Sequence, residues 1–410
     1  MKLRLSLVLV CTFAVSTFAL DWPQWRGPDR TDLSKETGLL KQWPAEGPKQ
    51  VWIYKNAGNG YSGPAIVGGK LYTLGTRDGS EVLLCLDAAK GTELWAAKLG
   101  SIFAGQPKWG DGPRGTPTVD GTKIYALTGA GTLACLNLAD GKQVWSRTMQ
   151  DLGGKTPNWG YTESPLIDGN QVAVTPGGAQ GAIAALNKET GEPLWQSKDF
   201  TDGAQYASLV PAMINGEKQY VQLTQQHVAG VSAKDGALRW QYDFPGRVAV
   251  IPTPIVKDNM VYVTAGYGSG CMLLKIEPEN KVTLVYKNAV MGNHHGGVIL
   301  YKDHLFGHAE KNGWVCQDFA SGEQVWAEKG KLGKGAIGYA DGMFYCLEEG
   351  SGTVALIEAS VNGWNEKGRF KLDPQTTIRS PDGHVWTHPV IVNGRLYLRD
   401  QDLIYCYAVK

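Results

Sequence analysis

The sequence predicts an all-β fold, an eight-bladed β-propeller of four-stranded antiparallel blades, and three observations lead to it. The chain of 410 residues contains 53 Gly and 14 Trp, which indicates many turns and one aromatic residue repeated in a fixed structural role. Alternating apolar residues and glycine turns recur in the same order along most of the chain. The spacing of these copies falls in the range of roughly 20–50 residues that is typical of repeat architectures.

Residues 112–149 contain the clearest copy of the repeat. Turns at Gly121, Gly129–Gly131 and Asp140–Gly141 separate its apolar segments, and Asp-Gly between alternating segments is a strong hairpin signal. The copy therefore predicts strands over 117–120, 123–128 and 132–137, followed by an edge strand that carries Val144 and Trp145. Four such antiparallel strands make one propeller blade.

An aromatic residue marks the predicted edge strand of each copy. The eight positions are Trp52, Trp95, Trp145, Trp195, Trp240, Tyr286, Trp326 and Phe370. Eight opening phrases precede inner strands, the last of them at His388–Pro389. A seven-bladed ring stays open as an alternative, because the copy over 334–372 is degenerate and lacks an edge Trp.

The two ends of the repeat region complement each other. The last copy has only two strands after its opening, and residues 50–54 supply a strand that no other copy uses. We expect this N-terminal strand to complete the last blade, since closure removes exposed sheet edges. The predicted divisions are a signal peptide over 1–20, an extended strap along the side or one face over 21–49, and a single propeller domain over 50–410.

The N-terminal segment predicts export to the periplasm. Lys2 and Arg4 precede an apolar run over 5–15, and small residues around Ala19 suit a cleavage site. Cys11 follows Val10, where a lipoprotein signal would have a small residue, so we expect no lipid anchor. No other segment reaches the ~18 apolar residues of a membrane span. We therefore expect a soluble monomer.

Charge and cysteine usage narrow the function classes. With 40 Lys+Arg against 39 Asp+Glu, the chain has no excess charge that would attract nucleic acid. Four cysteines, at 85, 135, 316 and 406, occupy the same repeat position in different copies. Because equivalent positions in different blades lie too far apart for a disulfide, we expect these cysteines to be small buried hydrophobic residues.

Residues just before each inner strand should surround one mouth of the central channel, where long loops also emerge. The candidate ligand- or cofactor-binding residues are Tyr61, Arg114, Trp159, Tyr161, Glu163, Tyr206, Arg247, His294, His295, Lys334, Trp386 and His388. This set of aromatic and cationic side chains suits a planar, anionic or polyoxygenated ligand.

Three of these residues have competing interpretations. Adjacent His294 and His295 resemble a metal pair, but neighbouring residues on a strand point to opposite faces, so we predict no metal site. Glu163 is the only candidate for a catalytic base or calcium ligand. A lone carboxylate that accepts backbone hydrogen bonds from the next blade is the alternative interpretation.

The repeated phrase Leu136-Asn137-x-x-Asp140-Gly141-Lys142-x-Val144-Trp145 resembles the repeat of the PQQ-like β-propeller superfamily, and the resemblance covers residues 50–410. That superfamily includes quinoprotein alcohol dehydrogenases and the outer-membrane assembly lipoprotein BamB. The N-terminal Trp22-Pro23-Gln24-Trp25-Arg26-Gly27-Pro28 is similar to the start of exported PQQ-like propellers of planctomycete-type bacteria. The resemblance implies a propeller fold and makes PQQ with calcium the candidate cofactors.

Three functions stay open at this point. The first is a non-catalytic exported propeller that binds a protein, glycan or small ligand at the channel mouth. The second is a PQQ- and calcium-dependent dehydrogenase of alcohols or sugars, in which Glu163 helps to hold the metal and Arg114, Lys334 or Arg247 binds the quinone carboxylates. The sequence lacks the adjacent cysteines that the resemblance implies for such enzymes. The third is a BamB-like factor in outer-membrane protein assembly.

Overall fold

The computed structural model describes residues 20–105 and 108–410 of the chain. The described residues form eight sheets, each with four strands of one blade in antiparallel order, which confirms the eight-bladed propeller over the seven-bladed alternative. The first strands of several neighbouring blades contact one another and line the central channel. Apart from Leu20, the predicted signal peptide lies outside the described residues.

The strands run outward from the channel in chain order. Blade 1 comprises Ala65–Val67, Lys70–Arg77, Ser80–Asp87 and Glu93–Ser101, and blade 2 comprises Thr118–Asp120, Lys123–Leu127, Thr132–Asn137 and Gln143–Thr148. Blade 3 comprises Leu166–Asp168, Gln171–Val174, Ala184–Asn187 and Pro193–Gln196, and blade 4 comprises Val210–Ile214, Glu217–Leu223, His227–Ser232 and Leu238–Asp243. Blade 5 comprises Ile255–Lys257, Met260–Ala265, Gly270–Ile276 and Val282–Asn288, and blade 6 comprises Val298–Tyr301, His304–Ala309, Gly313–Asp318 and Gln324–Glu328.

The last two blades incorporate the N-terminal segment. Blade 7 comprises Gly335–Ala340, Met343–Glu348, Thr353–Glu358 and Glu366–Lys371, with Leu33–Ser34 added in parallel to its first strand. Blade 8 comprises Val390–Val392, Arg395–Asp400 and Leu403–Ala408, with Gln50–Tyr54 as its outer strand. The predicted closure by the N-terminal strand is therefore confirmed.

Helical structure and cysteines are secondary features of the fold. Helical geometry is confined to short turns at Gln150–Leu152 and Pro278–Asn280, and no helix among the described residues is long and apolar enough to cross a membrane. The six cysteines between 85 and 406 are all buried and unpaired, as predicted.

The edge aromatic residues join each blade to the next. Trp145 of blade 2 packs against Gly191 in the turn of blade 3, and its Nε1 donates a hydrogen bond of 2.8 Å to the Lys188 carbonyl. Trp95 of blade 1 packs in the same way against Gly141 of blade 2. Full burial of an apolar side chain contributes about 1.5–3 kcal/mol, so the repeated contact is a major part of the inter-blade stability.

Blade 7 departs from this pattern. A β-bulge precedes the edge aromatic in the other blades, but in blade 7 the residue after the bulge is Gly368. Trp43 of the N-terminal segment covers Gly368. The ring centroid of Trp43 lies 5.8 Å from that of Tyr345. Phe370, predicted as the edge aromatic, packs instead on Gly47. The N-terminal segment thus supplies the aromatic residue that the degenerate repeat lacks.

The junction of blades 8 and 1 carries a buried cation. Arg399 is 1% exposed and donates hydrogen bonds to the carbonyls of Gln401 and Ser62 and to the hydroxyl of Thr73. Burial lowers the pKa of Arg399 to about 10, so the guanidinium stays charged at neutral pH. These charge-assisted bonds hold the two ends of the ring together.

Residues 22–36, which we call the channel strap, lie inside the channel, whereas a path along the side or one face was expected. The Trp22 backbone exchanges two hydrogen bonds with Ile66 of blade 1, and the Pro23 carbonyl accepts one from Val119 of blade 2. Trp25 donates from Nε1 to the Thr253 hydroxyl ahead of blade 5. The strap therefore crosses the channel between opposite blades.

Two buried arginines extend the strap to three further blades. Arg30 donates to the carbonyls of Pro165 at 2.6 Å and Leu209 at 2.9 Å, which lie at the start of blades 3 and 4. Arg26 donates to the Val298 carbonyl of blade 6 at 2.6 Å and pairs through Nε with Asp32 at 2.7 Å. Burial lowers the pKa of Arg30 to about 10, so this guanidinium also stays charged.

The end of the strap reaches blades 7 and 8. Leu33 and Ser34 pair with blade 7, and the Glu36 carboxylate accepts hydrogen bonds from the backbone of Asn393 and Gly394 in blade 8. Asp32 Oδ2 also lies 3.4 Å from Nδ1 of His388, a residue just ahead of blade 8. The strap therefore contacts all eight blades and closes the channel from within.

The inter-blade glycine contact can be tested with a matched pair of substitutions. Both Gly141 (φ +70°) and Gly121 (φ +56°) have left-handed backbones, but a β-carbon at Gly141 would lie 2.6 Å from the Trp95 ring, while one at Gly121 meets nothing within 4 Å. We expect Gly121→Ala to cost about 1–2 kcal/mol from backbone strain alone. Gly141→Ala should cost about 1–3 kcal/mol more. Equal losses in urea unfolding would contradict the packing role of the edge Trp.

The strap makes a second prediction. Arg30→Met leaves the buried carbonyls of Ser164, ahead of blade 3, and Leu209, ahead of blade 4, without a donor and should lower the free energy of unfolding by about 2–4 kcal/mol. The control is Lys35→Met, since Lys35 is a 68% exposed cation of the same segment, and it should change stability by less than about 0.5 kcal/mol. Similar melting temperatures for the two variants would mean that the strap does not hold the blades.

Candidate functional site

A cavity of about 350 Å³ lies in the channel mouth, on the face where the chain enters each first strand. The strap pairs with the middle of the first strands, deeper in the channel, so Trp25 and Arg26 form the cavity floor. Aromatic, cationic and hydroxyl side chains line the remainder. They are Tyr61, Trp109, Arg114, Trp159, Thr162, Ser164, Tyr206, Ser208, Thr253, Tyr267, His294, His295, Lys334, Glu349, His384, Trp386, Thr387 and His388, together with the apolar Ala249, Ile251 and Pro252.

Two tyrosines hold the loops at the cavity entrance. The Tyr61 hydroxyl donates a hydrogen bond of 2.6 Å to the Trp109 carbonyl, and the Tyr206 hydroxyl accepts one of 3.4 Å from the Trp159 backbone. Burial raises the pKa of both tyrosines, that of Tyr206 to about 12, so both stay neutral at ordinary pH. The indoles of Trp109 and Trp159 are thereby positioned at the entrance.

Arg114 supplies a cation with no acidic partner in contact. Its two Nη atoms donate to the carbonyls of Gly112 and Gly110 at 2.8 and 2.7 Å, and its guanidinium lies 5.1 Å from the Tyr61 ring centroid. Among the ion pairs of residues 20–105 and 108–410, none involves Arg114. Burial lowers its pKa, but a guanidinium remains charged at neutral pH. Arg114 is therefore available to pair with an anionic ligand.

A compact acid–base cluster occupies the opposite part of the lining. Lys334 Nζ lies 2.6 Å from His294 Nδ1 and 3.1 Å from a Glu349 oxygen, and the other Glu349 oxygen lies 3.5 Å from His295 Nδ1. Burial acts to raise the pKa of Glu349, but His295 and Lys334 outweigh it and hold that pKa below its ordinary value. Burial, with the neighbouring His295 and Lys334, lowers the pKa of His294 to about 2. The cluster is thus a lysine–glutamate ion pair beside neutral imidazoles.

Stacked rings form the wall beside this cluster. The ring centroids of His294 and His295 lie 3.8 Å apart, and His295 stacks on Trp386 at 4.6 Å. The ring centroid of Trp386 also lies 5.7 Å from that of His384 and 4.8 Å from that of Tyr61. With His295, His384 and Tyr61 around it, the Trp386 ring has little free face.

The structure brings nine of the twelve predicted residues to the cavity and places three elsewhere. Tyr161 packs between blades 2 and 3, and its hydroxyl donates to the Pro176 carbonyl. Glu163 lies between blades 3 and 4, where it accepts hydrogen bonds from the backbone of Thr175 at 2.6 Å and of Leu209 at 3.3 Å. Arg247 is exposed and does not line the cavity.

The misplacement of Tyr161 and Glu163 has a simple cause. Side chains alternate across an extended segment, and Thr162 between them lines the cavity while both neighbours point into the blade. The interpretation of Glu163 as a backbone-bonded carboxylate agrees with these contacts. The prediction that it serves as catalytic base or metal ligand was wrong in placing it at the mouth.

Sequence reasoning missed five further lining residues of particular interest. Tyr267 and Glu349 belong to turns between second and third strands, which return to the same face as the residues before the first strands. The antiparallel order of the strands could have predicted that these turns lie at the channel mouth. His384 follows the long loop after blade 7, while Trp25 and Arg26 come from the strap, which carries no repeat signal.

The cavity lining does not fit a calcium-held quinone. Calcium prefers about six to eight oxygen ligands, largely carboxylates and carbonyls. Within residues 20–105 and 108–410, Glu349 is the only carboxylate that lines the cavity, and its two oxygens lie 3.1 Å from Lys334 Nζ and 3.5 Å from His295 Nδ1. Among the described residues, no group of three His, Cys, Asp or Glu side chains is placed to hold a metal ion. We therefore derive no reaction step through PQQ and calcium.

The environment of Glu163 predicts a pH dependence of stability. Burial raises its pKa from 4.5 to about 7, so the folded state binds a proton more tightly than the unfolded chain. Its contribution is therefore most favourable below pH 4.5 and is lost as the pH rises to 7, by on the order of 3 kcal/mol. Denaturant unfolding of wild type and Glu163→Gln should show the wild type losing stability relative to the variant over this interval. A pH-independent difference would contradict the raised pKa.

Comparisons with solved structures agree with the observed architecture. BamB from Moraxella catarrhalis is 16% identical, with a TM-score of 0.63 over 88% of this chain and 97% of that one. Quinohemoprotein alcohol dehydrogenase from Comamonas testosteroni is 13% identical, with a TM-score of 0.64 over 95% and 80% of the two chains. The computationally designed Ika8 protein is 12% identical, with a TM-score of 0.58 over 88% and 100%. At these identities the likeness concerns the fold alone.

The family comparison is more specific. Among curated proteins, none matches the chain. The family described as outer membrane protein assembly factor BamB matches residues 79–328, which is more than half of the chain. The expected PQQ-like β-propeller is thereby confirmed. The chain belongs to this BamB family of PQQ-like propellers.

Proposed function

We propose that the protein is an exported, non-catalytic binding module that holds a small organic ligand in the channel-mouth cavity. The observation that carries this proposal is a cavity of about 350 Å³, open at the channel mouth and lined by aromatic rings and an unpaired guanidinium, Arg114. Its volume is near the lower end of the range of roughly 300–1,000 Å³ for ligand pockets. A closed floor and anchored entrance loops give the preformed shape that specific binding needs.

The chemistry of the lining supports binding rather than acid–base catalysis. A general acid or base works best when its pKa is near the operating pH. His294 has a pKa of about 2, and Glu349 is held ionised by Lys334 and His295. Glu163, whose pKa is raised to about 7, lies outside the cavity. The dehydrogenase alternative also requires calcium ligands that the lining does not offer.

A second candidate function is the one that the family description names, assembly of outer-membrane proteins. Membership of the family over residues 79–328 favours it. Under this alternative a protein partner contacts the propeller, and the tagged protein should co-purify with an outer-membrane assembly complex. If the tagged protein is absent from such complexes and a ligand binds in the cavity, the binding module is favoured. Export to the periplasm, predicted from residues 1–20, is common to both functions.

The binding proposal can be tested by screening purified protein with neutral sugars, acidic sugars, aromatic acids, peptides, and PQQ with and without calcium. Hits from thermal shift should be confirmed by calorimetry and assayed for dye reduction. Trp109 is 39% exposed at the entrance, so Trp109→Ala should weaken ligand binding by about 3- to 10-fold with little change in melting temperature. The control is Leu194→Ala, since Leu194 is 47% exposed on the outer edge of blade 3.

Two outcomes would contradict the proposal. The first is the absence of stoichiometric binding by any compound, or binding that Trp109→Ala leaves unchanged. The second is substrate-dependent dye reduction with PQQ and calcium, which would restore the dehydrogenase.

A further inference from the structure

We infer that the ligand of this cavity is an acidic saccharide, a molecule of one or two sugar rings that carries a carboxylate. The inference rests on the proposed function and goes beyond it by naming the class of ligand. Four features of the cavity support it: a cation that no carboxylate contacts, a wall of aromatic rings that already pack on one another, hydroxyl donors on one side and two open indoles at the entrance.

The Arg114 guanidinium is the reason to expect a carboxylate on the ligand. Arg114 has no carboxylate within ion-pairing distance among the described residues, and nearby Glu81 uses its two oxygens to accept hydrogen bonds from the Phe103 and Gly129 backbone. Across the cavity, Lys334 is already neutralised by Glu349. Arg114 therefore keeps guanidinium N–H groups that no carboxylate contacts, and a ligand carboxylate can accept hydrogen bonds from them. Guanidinium groups bind carboxylates with good directionality, which makes this the natural contact.

The packed rings argue against a flat aromatic ligand. Trp386 has His295, His384 and Tyr61 around it, and the ring centroid of His295 also lies 3.8 Å from that of His294. Rings that already contact one another offer little free aromatic face for a planar ligand to stack on.

The opposite wall supplies hydrogen-bond donors. The hydroxyl oxygens of Ser164 and Ser208 accept backbone N–H groups of the preceding blade, from Thr116 at 2.9 Å and Ser164 at 3.0 Å. The Thr253 hydroxyl accepts from Trp25. None of these three hydroxyls donates a hydrogen bond within the described part of the chain, so each O–H can serve a ligand oxygen. A polyhydroxylated ring presents acceptors in several directions at once.

The entrance provides the aromatic faces that a sugar ring uses. Trp109 is 39% exposed, and Trp159 contacts Tyr206 edge to face at 5.9 Å, which leaves indole surface free. The C–H face of a pyranose packs on such a plane while its hydroxyls and carboxylate point elsewhere. Aromatic packing at the entrance and oxygen recognition within the cavity together match an acidic sugar better than a neutral sugar or an aromatic acid.

The test is isothermal titration of the full-length protein with D-glucuronate, D-galacturonate, digalacturonate, D-glucose and benzoate. We expect at least one uronate to bind about tenfold or more tightly than D-glucose, because a hydrogen-bonded charge pair is worth more than a neutral hydrogen bond. Benzoate should bind more weakly than the uronates. Comparing the affinity for digalacturonate with that for the single uronates distinguishes a free sugar acid from the end of a longer glycan as the ligand.

Arg114→Gln should abolish the preference for uronates while D-glucose binding stays within about twofold. Retained glucose binding and a cooperative unfolding transition show that this variant is folded, even though loss of the bonds to Gly110 and Gly112 lowers its melting temperature. The matched control is Arg239→Gln, which removes a cation paired with Glu217 on the edge of blade 4 and should leave all affinities unchanged.

Several results would overturn the inference. Failure of every uronate to bind, equal affinity for D-glucose and uronates, or benzoate binding as tight as the uronates would each do so. If the wider screen still finds a ligand that is sensitive to Trp109→Ala, the binding module survives and only the class of ligand is wrong. If no compound binds, both proposals fail.

Discussion

The propeller depends on the two buried guanidinium groups of the channel strap. First strands of eight blades converge on a channel whose carbonyls need donors, and buried backbone groups without partners are costly. Arg26 and Arg30 reach the carbonyls of blades 3, 4 and 6, and Asp32 balances one of the two charges. Burying these cations is itself costly, and their hydrogen bonds to channel carbonyls together with the Arg26–Asp32 ion pair offset that cost. The strap also forms the floor of the cavity, which joins the stability of the ring to the site.

Features that repeat could be predicted from the sequence. Turn glycines and edge aromatics such as Trp145 recur at fixed positions, and each reports local geometry that does not depend on distant residues. Closure by residues 50–54 was also predictable, since the last copy visibly lacked one strand. In the degenerate blade 7, by contrast, Gly368 depends on Trp43 from the N-terminal segment, and no sequence spacing indicates that contact.

The site was predictable in position more than in detail. Residues before the first strands do surround the mouth, as Arg114 and Lys334 illustrate. Thr162 lines the cavity in place of Tyr161 and Glu163, because side chains alternate along this extended segment and no residue of the repeat marks which of them point to the channel. Glu349, the partner of Lys334, lies in a turn of the same blade that the antiparallel strand order brings to this face. What decides the chemistry is which side chains meet at the mouth, and the repeat itself does not encode their identities.

Residues 22–36 are an integral part of the channel, since their contacts reach all eight blades. Hydrogen–deuterium exchange of the full-length protein measures this directly, because amide protection reports how often each segment opens. We expect peptides covering the strap to exchange as slowly as those covering the first strands, such as Ala65–Val67, to which Trp22 is hydrogen-bonded. Exchange of the strap at the rate of exposed loops, with the blades still protected, would contradict the account.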